Sequence, residues 1–192
     1  HPGWEQPGFN DQNWAKAKVF DLDDRKLVWL RNEPIQVAKE LTPIKMTESK
    51  PGVFVFDLGQ NMVGWCRINA VGAAGKTVTM RYAEMLNDDG TIYTANLRGA
   101  PQIDRYTPAI NGSFVFEPHF TYHGFRYVEL TGLAEPPTNE AVLGRVFHSS
   151  SPVVGRFECS DPSLNRLMEN ILWTQRANLM SAPTDCPQRD ER

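Results

Sequence analysis

Along the middle of the chain, apolar and polar residues alternate in short runs separated by glycine, proline and asparagine. A period of two places every second side chain on one face of a strand, so each run reads as a strand with one buried face. Ile35, Val37, Ile44 and Met46 open this pattern after Pro34, which forces Glu33 out of the helical region. The clearest strands are Val53 to Leu58 and Met62 to Ile68, flanking a polar hinge at Gly59-Gln60-Asn61. Lys76 to Glu84 alternates between two turns, Gly72-Ala73-Ala74-Gly75 before it and Asn87-Asp88-Asp89-Gly90 after it. Phe114 to Leu130 reads as an aromatic strand bent at Gly124, and Ala141 to Phe147 as the last strand.

Beyond Ser149-Ser150-Ser151-Pro152 the period changes. Asp161 is placed to cap a helix, Pro162 fits its first turn, and Leu164, Leu167, Met168, Ile171 and Leu172 recur every three or four residues. That stripe is most simply a core face. The helix is expected to end by Ala182-Pro183-Thr184, which delivers the last residues as a loop.

Composition narrows the function classes. At 192 residues the chain holds one good core or one and a half domains, too little for a complete multidomain enzyme. A net charge of −3 with interspersed signs leaves no footprint for nucleic acid, and no apolar run approaches the roughly 20 residues that span a bilayer. No signal peptide is seen, but the first residue is His1, so the true start is expected to be missing and the compartment is unknown. Cys66, Cys159 and Cys186 are odd in number and lack paired spacing, which argues for free thiols over disulfides or zinc.

Several candidate ligand groups have plainer readings. Trp4 and Trp14 are expected to anchor an edge loop, and Gln60 with Asn61 to form a buried amide pair serving loop backbone groups. His119 and His123 would chelate on a helix, but four steps of strand separate them by about 13 Å, so no metal is assigned there. Asp88 and Asp89 lack the ligand spacing of a calcium loop, and Asp104 is expected to pair with a neighbouring arginine. No cofactor is indicated.

Chemistry concentrates in the last eight residues, Asp185-Cys186-Pro187-Gln188-Arg189-Asp190-Glu191-Arg192. Carboxylates crowded against guanidinium groups can be split into one ionised and one protonated group, as general acid catalysis requires. A structural ion-pair corner has the same composition. The run from Pro183 to Arg192 resembles the acid-bearing motif of the bacterial α-L-rhamnosidases, family seventy-eight of the glycoside hydrolases. Other segments resemble that family in the same order: Phe56-Asp57-Leu58-Gly59-Gln60-Asn61, Phe120-Thr121-Tyr122-His123-Gly124-Phe125-Arg126-Tyr127, and Phe157-Glu158-Cys159-Ser160-Asp161-Pro162.

The resemblance implies a fold and roles. Residues 1–30 would be the tail of a preceding jelly-roll-like β domain, 31–148 an antiparallel β-sandwich, and 149–192 the truncated start of a helical catalytic (α/α) barrel. The fold class is thus mostly β with a C-terminal α-helix, which should lie on the sandwich, expose its apolar stripe, or pair between chains as a homodimer. By resemblance Glu191 is the general acid, with Asp190 as second choice for that role and otherwise a substrate contact. Asp185 holds sugar hydroxyls and Arg189 positions them. The family inverts configuration, and its base lies downstream of this segment. The expected substrate is a rhamnosylated glycoside or oligosaccharide. The competing reading is a non-catalytic carbohydrate-binding or scaffolding β-sandwich.

Overall fold

The computed structural model describes residues 3–20 and 26–189. It separates into two compact units, His1–Arg31 and Asn32–Arg192. In the first, turns close through Gln6 N–H to the Gly3 carbonyl (2.9 Å) and Trp14 N–H to the Asp11 carbonyl (2.8 Å). Trp14 leans on Phe9 with ring centroids 5.4 Å apart. The expectation that both tryptophans anchor a loop is not met for Trp4, which is 62% exposed, and Trp14 itself stays 46% exposed. Among the described residues of this unit there is no strand to anchor to.

The second unit is built on strands β1 (Ile35–Leu41), β2 (Lys45–Lys50), β3 (Val53–Gly72), β4 (Val78–Ala83), β5 (Met85–Leu86), β6 (Ile92–Tyr93), β7 (Ile103–Tyr106), β8 (Gly112–Phe116), β9 (His123–Thr131) and β10 (Val142–Ser149). The one α-helix among the described residues, α1 (Pro162–Ala177), follows, and then a two-strand hairpin, β11 (Leu179–Met180) and β12 (Ala182–Pro183). Eight strands form one antiparallel sheet ordered β1-β10-β3-β9-β4-β7, with β2 and β8 also paired to β3. The architecture is therefore mostly antiparallel β with one C-terminal helix.

The long strand β3 organises everything else. Its first part pairs with β2 and β9, while its later residues pair with β10 and β8. Phe54, Phe56, Leu58, Met62, Cys66, Ile68 and Ala70 share one parity and all face the same core, joined there by Met80, Tyr82, Phe125, Val128 and Leu130. Fully burying one such side chain stabilises by about 1.5–3 kcal/mol, so the alternation is the main determinant of the fold. On the opposite parity Val63 is also buried, and Val55 joins Ala83 and Ile92 in a small second cluster.

The aromatic run from Phe114 to Leu130 is two strands, not one. Chain pairing stops at Phe116 and resumes at His123, with Phe120 between them at φ +61°. Residue His119 thus lies outside both strands, so the strand geometry assumed for the two histidines does not apply.

Helix α1 starts where the sequence indicates. Asp161 Oδ1 accepts from Ser163 N–H at 2.8 Å, and Pro162 occupies the first turn, where a missing N–H costs nothing. The Asn165 side chain clamps the preceding segment by donating to the Cys159 carbonyl and accepting its N–H. The end differs from expectation. Asn178 stops the helix at Ala177, and the β11–β12 hairpin intervenes, turned at Ser181 with φ +66°. No residue of α1 is fully buried; Leu164, Leu167 and Ile171 are about half exposed, whereas Trp173 packs against the core.

Candidate functional site

The bend in β3 is built by charge. Between Asp57 and Met62 the strand advances five residues while β9 advances two, from Tyr127 to Phe125. The surplus residues leave the ladder, with Gly59 at φ +74°, a conformation a side chain would disfavour. Asp57 braces the turn: it accepts Gly59 N–H at 2.7 Å and is gripped in two-pronged fashion by Arg126 at 2.7 and 2.8 Å. Burial pushes the Asp57 carboxyl upward, but the Arg126 contact and the Gly59 N–H outweigh it and hold it below its ordinary value.

This bend presents Gln60 and Asn61 outward. The expected buried amide pair is therefore corrected: Asn61 is exposed and Gln60 half-buried. Asn61 Nδ2 donates to Glu84 Oε1 at 2.9 Å, and Asn96 Nδ2 donates to Glu84 Oε2 at 3.2 Å. Both amides face a cleft of about 410 Å³ that also contains Glu84, Asn170 of α1, and Asp185 with Gln188 of the C-terminal loop.

That loop is tied down at several points. Ser181 N–H donates to Ser149 Oγ at 2.7 Å, Thr184 N–H to the Asn178 carbonyl at 2.8 Å, and Arg189 N–H to the Cys186 carbonyl at 3.0 Å. The Cys186 thiol donates to Asp185 Oδ2 at 3.3 Å and accepts from the Arg189 guanidinium at 3.0 Å. Beneath it, Gly124 leaves just enough room: a Cβ there would stand 3.0 Å from Gln188 N and 3.2 Å from Pro187 C.

A buried polar group supports β9 from below. His123 Nδ1 meets Gln102 Oε1 at 2.7 Å, its Nε2 meets Asp104 Oδ2 at 3.0 Å, and Gln102 Nε2 donates to the Gly124 carbonyl at 3.1 Å. Tyr82 stacks on the His123 ring at 4.3 Å and donates its hydroxyl to Asp104 Oδ2 at 2.8 Å. Burial, with nearby Cys66 and Asp104, pushes the Tyr82 phenol well up, so it stays a donor. Among the described residues the partners of Asp104 are thus Tyr82 and His123, with no arginine, which corrects the sequence expectation. His119 stacks on Trp65 instead, 6.4 Å between centroids.

Of the residues singled out from the sequence, Asp185 and Arg189 sit on the loop: Asp185 lines the first cleft, and Arg189 lines a neighbouring one with Gln102, Tyr122 and His123. Asp190 and Glu191 lie outside the described residues. Glu84 and Asn170 were not singled out, since nothing in their local sequence separates them from ordinary solvent-facing positions. Chemically, the first cleft offers fixed acceptors and amide donors around Asp185, a donor set suited to hydroxyl groups.

Comparisons with known proteins place the chain in a family. Residues 47–148, more than half of the chain, match the bacterial alpha-L-rhamnosidase concanavalin-like domain, and residues 152–192 match the bacterial alpha-L-rhamnosidase 6 hairpin glycosidase domain. An alpha-L-rhamnosidase of Streptomyces avermitilis is 52% identical over 99% of this chain, which covers 18% of that protein. The crystal structure of a Streptomyces avermitilis alpha-L-rhamnosidase complexed with L-rhamnose superposes with a TM-score of 0.89 at 52% identity, covering 99% of this chain and 19% of that one. That of the Dictyoglumus thermophilum enzyme gives 0.91 at 42% identity, covering 100% and 22%. The chain spans about a fifth of the length of such relatives. With the antiparallel β region and the C-terminal segment both matched in order, the chain belongs to the bacterial alpha-L-rhamnosidase family.

Proposed function

We propose that this chain is a segment of an α-L-rhamnosidase that releases terminal α-L-rhamnose from glycosides or oligosaccharides with inversion. Glu191 protonates the leaving glycosidic oxygen as the C–O bond breaks. Asp185 accepts hydrogen bonds from sugar hydroxyls, with Arg189 and Asp190 positioning the ring. A second carboxylate, outside this segment, deprotonates the water that attacks from the opposite face, roughly 6.5–9.5 Å away. The (α/α) catalytic domain begins near residue 149, and the β-sandwich carries it.

The observation that supports this most is 52% identity over 99% of the chain with an alpha-L-rhamnosidase. The anchoring of the Asp185–Arg189 loop between two clefts agrees with a working site rather than a solvated charge run. The test uses p-nitrophenyl α-L-rhamnoside. The full-length protein carrying this chain is expected to hydrolyse it, Glu191→Gln to lower kcat by at least about 100-fold, and the isolated 192-residue chain to show no turnover. Hydrolysis by the isolated chain, or full activity of the Gln variant, would sink the assignment.

A further inference from the structure

We propose that the cleft beside Asp185 is a subsite for the sugar to which the cleaved rhamnose is attached, and that Glu84 of the sandwich and Asn170 of α1 determine selectivity for it. This rests on the rhamnosidase reading above. The cleft's volume of about 410 Å³ falls in the range of small-molecule sites, about 300–1,000 Å³. Its lining includes two carboxylates, Glu84 and Asp185, and five side-chain amides. Such a wall of acceptors and donors recognises hydroxyl groups and offers little to a purely apolar ring.

The carboxylate of Glu84 is prearranged for this task. One oxygen accepts from Asn61 and the other from Asn96, which fixes the plane of the group. Each carboxylate oxygen has two acceptor positions, so one remains on each. Two adjacent sugar hydroxyls would donate to that pair together. The bend of β3 exists at the same place, taking Gln60 and Asn61 out of the ladder with β9 and into the cleft. Asn170 and Gln188 contribute amides from α1 and the acidic loop. Asp185, given to rhamnose in the proposed mechanism, is one wall only; the others belong to the sandwich and the helix, which places the next sugar against them.

The test compares kcat/KM of the full-length enzyme for a rhamnosyl disaccharide glycoside with that for p-nitrophenyl α-L-rhamnoside, both followed as rhamnose released. For Glu84→Ala the disaccharide-to-aryl ratio is expected to fall about 10-fold or more, chiefly through the disaccharide KM, because a hydrogen bond to a charged group is lost. Asn170→Ala, at an exposed helix position where alanine favours the fold, should lower the ratio about threefold and decides the matter if Glu84→Ala does not fold. An unchanged ratio overturns the subsite, including the case where both substrates lose equally because Glu84 touches rhamnose itself. Absence of turnover of either substrate by the unaltered enzyme overturns the rhamnosidase reading and the subsite with it.

Discussion

Gly124 has no side chain, and the backbone of Pro187 and Gln188 occupies the space where one would stand. An added methyl must displace the acidic loop by a few tenths of an ångström, and a branched side chain by more. Gly124→Val in the full-length enzyme is therefore expected to lower kcat by about 10–100-fold, with KM changed far less, since small misplacements of reacting groups are costly. Steady-state kinetics alongside thermal unfolding check this; a fall in stability with intact kcat would contradict it. Asp57 offers a test of the bend. Because its folded carboxyl is held below the ordinary value of 3.8, its contribution is present above that pH and is lost as pH falls further. Asp57→Asn should cost about 1 kcal/mol at pH 7, kept modest because Arg126 is more than a third exposed and screened by water. Urea unfolding should show the gap between variant and unaltered chain closing below about pH 4. The error over Asp104 has a simple cause. Its neighbour Arg105 points to the opposite face of β7, so the partners had to come from other strands.

Among the elements, α1 shows most plainly how a periodic pattern identifies a helix while leaving open what its apolar stripe faces; of the three placements expected, the described residues show the exposed stripe. The spacing of Leu164, Leu167 and Ile171 identified a helix, yet these residues face solvent in the described chain, and contact with the sheet runs through Trp173 and Ala177. Lys39 also sits over the Trp173 ring, 5.4 Å from its centroid. In the isolated chain Leu167→Lys should therefore change unfolding free energy by less than about 0.5 kcal/mol, while Trp173→Ala should cost about 2 kcal/mol. Chemical denaturation of both variants measures the difference, and a reversal of that order would show that the helix packs by its other face. Strand β3 was legible as two apolar runs about a hinge. What could not be read was that the chain continues as one extended element of twenty residues through the unpaired hinge and serves partners on both sides.

For the molecule as a whole, Cys66 serves as a reporter. It is fully buried at the centre of the core, and burial, helped by Asp104, pushes its thiol well up. Alkylation followed by mass spectrometry should label Cys159 and Cys186 in the native chain, and Cys66 only at the rate of global unfolding. Early labelling of Cys66 would mean that the sheet opens locally. The same centrality explains what could be known in advance. Alternation of period two fixed which face of each strand is buried, the Asp161-Pro162 pair fixed where the helix begins, and the acidic run, through its resemblance to a family motif, pointed to glycoside chemistry, because each of these is carried by residues close together in the chain. The meeting of Asn61, Glu84, Asn170 and Asp185 around one cleft was decided by strand register and by the bend at Gly59, which bring together positions more than a hundred residues apart. Such contacts depend on how whole strands pair and where the helix docks, and no local run of sequence carries that information.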